Sequence, residues 1–519
     1  MKKEEKGVLT LYLALIIPVL LSLILTLFWG ARVSSERMKT DIVVDIAGNS
    51  ALAEYNRELR RQYGLLMIDT AYDKGSPEKE NLDERLDYYF EMNLEGSREV
   101  KIAEFLIDTT NFTQMQMTKM EVPEYTLAGD NNEGATKRQI FAYMEAEPVE
   151  GLVGTANLAE VSKSKDTADG SSSTSSAKGE SFDVNVSTEN AEKSFDLFGK
   201  IGKFFGKIAD EFSSHKSEEI GNSKKEDVDK GIEGPTSCKQ ILSDFAEGKI
   251  GILNLACSDK KFSDASFDKS SVYTGRSDKM KGTGLADRFS PNLLETGILF
   301  NLYMMQDFGY YDHEKEKSHL SYQIEYLVGE QSTDRGNIEI VARWICAIRF
   351  GMNCIYLLSA TPQAEEINFI AAAFVGIPVI GEIICFAVKI IITIIWAFME
   401  SANDIKILFD KGKVPLVKTP ASWKTSLKTG LMLVGGKNAT GLTYGQYLFM
   451  LILVKELNGI DAEVKDMMDI MELDIRKVKG YENFRIDGCV DCFTLEAEMQ
   501  GETGKTFSQK RYFGYEGSS

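Results

Sequence analysis

"KGVLTLYLALIIPVLLSLILTLFWGARVSSERM", residues Lys6–Met38, is the stretch on which the reading of the whole chain turns. From Val8 to Phe28 no residue is charged. Coiled as a helix, such a run is about 31 Å long, close to the ~30 Å hydrocarbon core of a bilayer. A secretory signal has a shorter apolar core followed by small residues at the cut. Here the run ends in Leu27-Phe28-Trp29-Gly30-Ala31, which is bulky where a signal peptidase needs small side chains, and Val33-Ser34-Ser35 is a weak substitute. Trp29 suits the headgroup level, where amphipathic rings concentrate. The stretch therefore predicts a lasting transmembrane anchor over residues 8–28, marked by Val8, Pro18, Phe28 and Trp29. Lys2, Lys3 and Lys6 before it balance Arg32, Arg37 and Lys39 after it, so flanking charge alone does not orient it. The short N-terminal flank and long acidic body predict a cytoplasmic 1–7 and an exported remainder.

Working outward, "ARVSSERMKTDIVVDIAGNSALAEYNRELRRQYG" lacks proline and keeps apolar residues at helical spacing, at Met38, Ile42, Ile46, Ala53 and Leu59. The anchor helix is expected to continue as a stem to about Gly64. Leu65–Ile68 reads as a short buried strand and Asn81–Asn93 as an amphipathic helix. The stretch from Val100 alternates in β fashion, and Lys137–Glu147 reads as a helix. Together residues 29–155 predict a stem helix with an α+β extracytoplasmic domain. Residues 156–235 read as linker, with "DGSSSTSSAKGES" too polar to bury enough surface against its chain entropy. Within it, residues 193–212 put Phe195, Phe198, Ile201, Phe204, Phe205, Ile208 and Phe212 on one helical face between lysines. That pattern suits an interfacial helix, a docking helix or a helix folded onto its own domain.

Residues 236–519 predict a mostly helical second domain. It includes buried apolar helices over 367–399 and a terminal β-hairpin over 484–513, turning at Gly501–Gly504. The apolar stretch contains Glu382 and Lys389, with Gly376, Pro378 and Gly381 breaking its first part. Ile383–Met399 is long enough for a second, marginal span, with Lys389 snorkelling. Helices buried in the domain core are the preferred reading. The fold class is accordingly α+β, with a transmembrane stem helix, a pilin-like α/β N-terminal part and a helical C-terminal part.

Composition narrows the function. The chain has 519 residues and a formal net charge of −19, which disfavours a nucleic-acid binder that must neutralise phosphates. Seven cysteines scattered over this length do not form a disulfide framework, and Cys489-Val-Asp-Cys492 lacks the second pair or histidine a zinc site needs. Two buried or strand-edge thiols are expected there. Three histidines, His215, His313 and His319, offer no metal spacing. "LVGGKNATG" at Leu433–Gly441 has neither Walker spacing nor the hydroxyl after its lysine, and reads as a turn between helices. No catalytic, cofactor-binding or metal-ligating residue, and no small-molecule substrate, is identified; a non-enzyme is expected.

The opening stretch through "YNRELRRQYGLLMID", with "YQIEYLVGEQS", "WAFMESANDIKILFDKGKVPLVK", "YGQYLFMLILV", "NFRIDGCV" and the closing "YFGYEG", resembles a family of unknown-function proteins encoded with clostridial Tad-type (Flp) pilus machinery, similar to TadE/TadG pseudopilins. The resemblance runs end to end, apart from a variable insert over 162–233. It implies a membrane-anchored minor pilin-like or accessory component on the cell surface, partnered by the membrane and by pilus or secretion-system proteins. In a pilin, a basic leader ends at glycine and a glutamate stands fifth in the mature chain. Lys6-Gly7 offers such a junction before Val8, but position five is Tyr12, so an uncleaved TadG-like anchor is the preferred form. The competing readings are an anchored extracytoplasmic enzyme or binding module and a two-span membrane protein.

Overall fold

The computed structural model describes residues 4–72, 75–94, 115–146, 222–283, 293–373, 375, 381–456 and 461–515. The β-type stretch from Val100 to residue 114, the low-complexity linker and the 193–212 helix lie outside these residues. The chain forms two compact units. The first gathers 1–147, 270–290 and 471–519; the second gathers 148–269 and 291–470.

In the first unit, helix α1 runs from Glu4 to Leu52 with Pro18 inside it. Its two halves meet different surroundings. Between Leu11 and Trp29 its large apolar side chains are exposed, Leu11 at 67% and Trp29 at 50%. From Glu36 onward one face is buried through Thr40, Val43, Val44, Ala47 and Ala51. The helix stops at Leu52, twelve residues short of the Gly64 expected from sequence. Asn56 takes an extended backbone and its side chain accepts from the amides of Glu58 and Leu59, starting a separate helix α2 over Arg57–Tyr63. Gly64, in the left-handed region, closes α2. The apolar spacing thus continued across a break that an N-cap imposes.

Four antiparallel strands follow: β1 (Ile68–Asp69), β2 (Met115–Leu127), β3 (Cys489–Gly501) and β4 (Thr506–Gly514). β3 is central, with β2 along one edge and β1 and β4 along the other. Its register pairs Glu121 with Glu496 on one side and Phe493 with Phe513 on the other. The terminal hairpin exists as expected, but its pairing with β2 places it in the first unit rather than in a continuous 236–519 domain. Helix α3 (Lys79–Leu94) covers the sheet with Leu82, Leu86 and Phe90, sharing one core with Val43, Val44, Phe493, Leu495 and Phe513. Helix α4 spans Asp130–Ala146, with Asn131, Asn132 and Glu133 in left-handed geometry near its start.

The stem seats on the hairpin by polar as well as apolar contacts. Glu36, fully buried, accepts from the Thr503 amide at 3.2 Å and from its hydroxyl. Lys505 places its ammonium 4.6 Å from the Trp29 ring centre. The hairpin turn therefore sits where the exposed apolar length of α1 ends.

The second unit is helical among its described residues: α5 (Asn222–Ala246), α6 (Ile252–Ala256), α7 (Leu293–Asp307), α8 (Gln323–Gly329), α9 (Asp334–Leu358), α10 (Pro362–Ala372), α11 (Gly381–Phe409) and α12 (Tyr444–Glu456). Helix α13 (Asp461–Arg476) contains the boundary between the units. Residues 320–359 keep helical spacing but are divided between α8 and α9. Glu330 turns left-handed at the end of α8, and Thr333 caps α9 through the Gly336 amide.

Gly48 shows how closely α1 meets the sheet: a Cβ there would lie 2.4 Å from the Phe513 ring. Alanine normally favours a helix by about 1 kcal/mol over glycine. Gly48→Ala is nevertheless expected to destabilise the protein by about 1–3 kcal/mol through overpacking. Urea unfolding in detergent measures this, with Phe513→Leu relieving the loss; a stabilised Gly48→Ala refutes the contact.

Candidate functional site

The second unit buries charge on a scale its apolar sequence conceals. Helices α9 and α11 pack against each other, and each presents an i, i+4 polar pair to the other. Arg349 and Asn353 come from α9, Glu400 and Asp404 from α11, and all four are fully buried. Between 409 and 427 the chain returns as a strap that delivers Lys418, 4% exposed, into the same place.

Arg349, Glu400, Asp404 and Lys418 form a charged tetrad in which each buried side-chain nitrogen and oxygen has a hydrogen-bond partner. Lys418 Nζ donates to Glu400 Oε1 at 2.5 Å, Asp404 Oδ1 at 2.6 Å and the Ser422 carbonyl at 3.2 Å. Those three acceptors match the three protons of an ammonium. Arg349 Nε donates to Asp404 Oδ2 at 3.0 Å, and its other nitrogens reach the Leu416 carbonyl, the Tyr447 hydroxyl and Asn353 Oδ1. Glu400 Oε2 accepts from the Thr425 amide and hydroxyl, both at 2.8 Å, and the Lys424 amide donates to both Glu400 oxygens. Trp396 Nε1 donates to Thr425 Oγ1 at 3.0 Å. Two carboxylates face two cations, so the cluster is neutral as a whole. Burial pushes the Glu400 carboxyl above its ordinary range, against the pull of Lys418.

A second polar centre lies on α8 and α12. Glu325 Oε1 accepts from the Tyr311 amide at 2.9 Å and from the Tyr444 hydroxyl at 2.8 Å. Its Oε2 is buried with no hydrogen-bond partner among the described residues. Desolvation raises this carboxyl to about 7. Tyr444 and Tyr447, one helical turn apart on α12, thus serve the two centres separately. In the first unit, Arg276 and Arg485 hold the buried Asp487, while Glu472 accepts from Arg276 and from the Ile486 amide. Here too burial raises Glu472, opposed by Arg476 and Arg276.

None of these residues stood out from sequence as a site, yet a signal existed. "FMESANDIKILF" places two carboxylates four apart on an otherwise apolar helix, a pattern that needs buried partners. The partners were illegible because Arg349 and Lys418 come from distant segments. Four of the sequence stretches singled out above fall on these centres: "YQIEYLVGEQS" on Glu325, "WAFMESANDIKILFDKGKVPLVK" on the tetrad, "YGQYLFMLILV" on the tyrosines and "NFRIDGCV" on Asp487.

The residues flagged from sequence are placed as follows. Gly7 and Val8 lie in uninterrupted α1, and Pro18, Phe28 and Trp29 are exposed along it. Cys489 and Cys492 are buried on β3 and free, and burial raises both thiols, which disfavours the reactive thiolate. His313 is exposed and His319 contacts the Ser266 carbonyl at 3.1 Å. Among the described residues no group of three histidine, cysteine or carboxylate side chains is arranged to hold a metal. Leu433–Gly441 lies between α11 and α12 without regular structure.

Among the described residues, three helices are long and apolar enough to cross a membrane: α1 from Leu11, α9 and α11. The apolar window of α1 is wholly unburied, whereas 44% of that of α9 and of α11 is inside the protein.

An α+β protein with an exposed apolar N-terminal helix and buried, self-neutralised charge in its helical unit is the class these observations define. The chain belongs to a family of unknown function (DUF5702), whose model matches residues 236–501, just over half its length and including all three polar centres. No curated protein and no solved structure matches it.

Two outcomes follow from the burial of these centres. Lys418→Met leaves Glu400 and Asp404 buried against one cation and is expected to cost about 3–5 kcal/mol. Combined with Glu400→Gln the loss should fall well below the sum of the two single changes; additive losses in urea melts would show that the pair is not coupled. For Glu325, the folded-state pKa lies above the unfolded value of about 4.3, so its stabilising contribution is complete below that pH and is lost as pH rises toward 7. Glu325→Gln keeps an acceptor and cannot ionise. Relative to the parent it should gain on the order of 2–3 kcal/mol between pH 5 and pH 8. Parallel stability curves for the two proteins would exclude this origin.

Proposed function

We propose that the protein is a membrane-anchored, non-catalytic accessory or minor pilin-like component of a Tad-type pilus or secretion apparatus. It is held in the bacterial cytoplasmic membrane by α1, with both units extracytoplasmic, and acts through contacts with other proteins of the apparatus. The observation that carries this reading is the divided character of α1. Its first half is apolar and bare, suited to storage in lipid and then to burial against neighbouring stems; its second half is fused by packing to an antiparallel sheet. The sequence resemblance supplies the identity of the apparatus. The buried tetrad supports a scaffold role, because its charged atoms are committed to one another and unavailable to a substrate.

Tyr12 at the fifth position after Gly7 favours retention of the N-terminus over leader cleavage. A photo-crosslinking residue at Leu21, on the exposed length of α1, is expected to capture pilus or secretion proteins in cells that express the apparatus. N-terminal sequencing of the same material should begin ahead of Val8. Absence of apparatus proteins from the crosslinked set removes the functional reading, and a mature start at Val8 replaces the anchor by a processed filament subunit.

A further inference from the structure

Helix α11 changes character midway. From Ile395 to Phe409 nearly every side chain is buried, and Glu400 and Asp404 are locked in the tetrad. Its first three turns are open on one side only: Gly381 and Val388 are buried, while Glu382, Ile383 and Phe386 face outward. Ile383 is 70% exposed and Phe386 66%. Phe369 on α10, which packs against α11, is 48% exposed, and Val375 beyond it 50%. Exposed apolar side chains grouped in this way mark a site of contact.

We propose that this end of the helical unit is a second membrane contact: the first three turns of α11 lie along the boundary between headgroups and acyl chains in one leaflet of the bilayer that anchors α1. Three observations favour lipid as the occupant. The apolar window of α1 is unburied among the described residues, and once α1 is in a bilayer it keeps a second lipid-seeking surface at high effective concentration. The exposed arc of α11 is also amphipathic in the manner of an in-plane helix. At 100° per residue, Glu382 and Lys389 share one edge while Phe386 and Ile383 fan away from it, so the charges stay at headgroup level as the apolar residues enter. Lys389, half-buried, has the reach to snorkel.

Length then separates contact from crossing. Residues 381–391 form about 16 Å of helix, half the ~30 Å of a hydrocarbon core. A full span needs about 20 residues and would draw Glu400 into lipid away from Lys418 and Thr425. Breaking such a buried pair is strongly unfavourable, so the tetrad limits α11 to one leaflet. This inference needs only that α1 is in a membrane, and it stands or falls separately from the pilus assignment.

The test uses the full chain in phosphatidylcholine–phosphatidylglycerol nanodiscs. Cys354 and Cys385, the two partly exposed cysteines, are replaced by alanine so that the label goes to the introduced thiol, the other native cysteines being buried. A nitroxide at Phe386→Cys is compared with one at the exposed Lys261→Cys, with Ile383→Cys as a second reporter on the same arc. The ratio of collision with oxygen to collision with a nickel chelate is expected to be several-fold higher at 386 and 383 than at 261, with a depth just below the phosphates. Equal ratios overturn the proposal. So does shielding from both reagents, which indicates a protein partner, or a depth at the bilayer centre, which indicates a span.

Discussion

Lys418 reaching Glu400 and Asp404 is the contact on which the helical unit depends. Each carboxylate alone would be expelled from an interior this apolar, and the ammonium alone would be too. Together with Arg349 they form a neutral set in which hydrogen-bond capacity is largely matched. That requirement fixes more than a pair of helices. It sets the register of α9 against α11, because Arg349 and Asn353 must face Asp404 and Ser401. It also holds the 409–427 strap in place, since Leu416, Ser422, Lys424 and Thr425 all supply backbone groups to the cluster. A hydrophobic contact of the same size would stabilise without dictating such a register.

The first unit follows a different rule, set by one long helix whose two halves differ in burial. Among the described residues, the large apolar side chains between Leu11 and Trp29 are exposed, whereas those after Glu36 pack on a sheet. The change falls at the β3–β4 turn, where Glu36 binds Thr503 and Lys505 lies over Trp29. Gly48 then lets the helix approach Phe513 closely enough to share a core with α3.

Much of this was legible. The apolar run to Phe28, the α3 region, α4 in its later turns and the terminal hairpin all carried a local period or turn signal that the structure reproduces. What failed did so for identifiable reasons. The stem was expected to reach Gly64 because apolar spacing persists through Ala53 and Leu59, but Asn56 captures two amides and restarts the helix. Residues 320–359 keep helical spacing across a left-handed stop at Glu330 and a cap at Thr333, which divide them into two helices. The polar centres were missed altogether, since a carboxylate in a helix reads as surface until its distant partner is known.

By itself the sequence determined the elements whose energetics are local: a helix long and apolar enough to cross a bilayer, amphipathic helices and a hairpin with glycine at its turn. Its resemblance pointed to the segments that turned out to house the buried charge. Only the tertiary structure decided that the C-terminal hairpin completes the N-terminal sheet, and that Arg349, Glu400, Asp404 and Lys418 meet. It also decided that the second half of α11 is interior while its first half keeps an exposed arc at Ile383 and Phe386. The physical reason is the same in each case. Burial and charge pairing act between residues far apart in the chain, and no local period or propensity carries that distance.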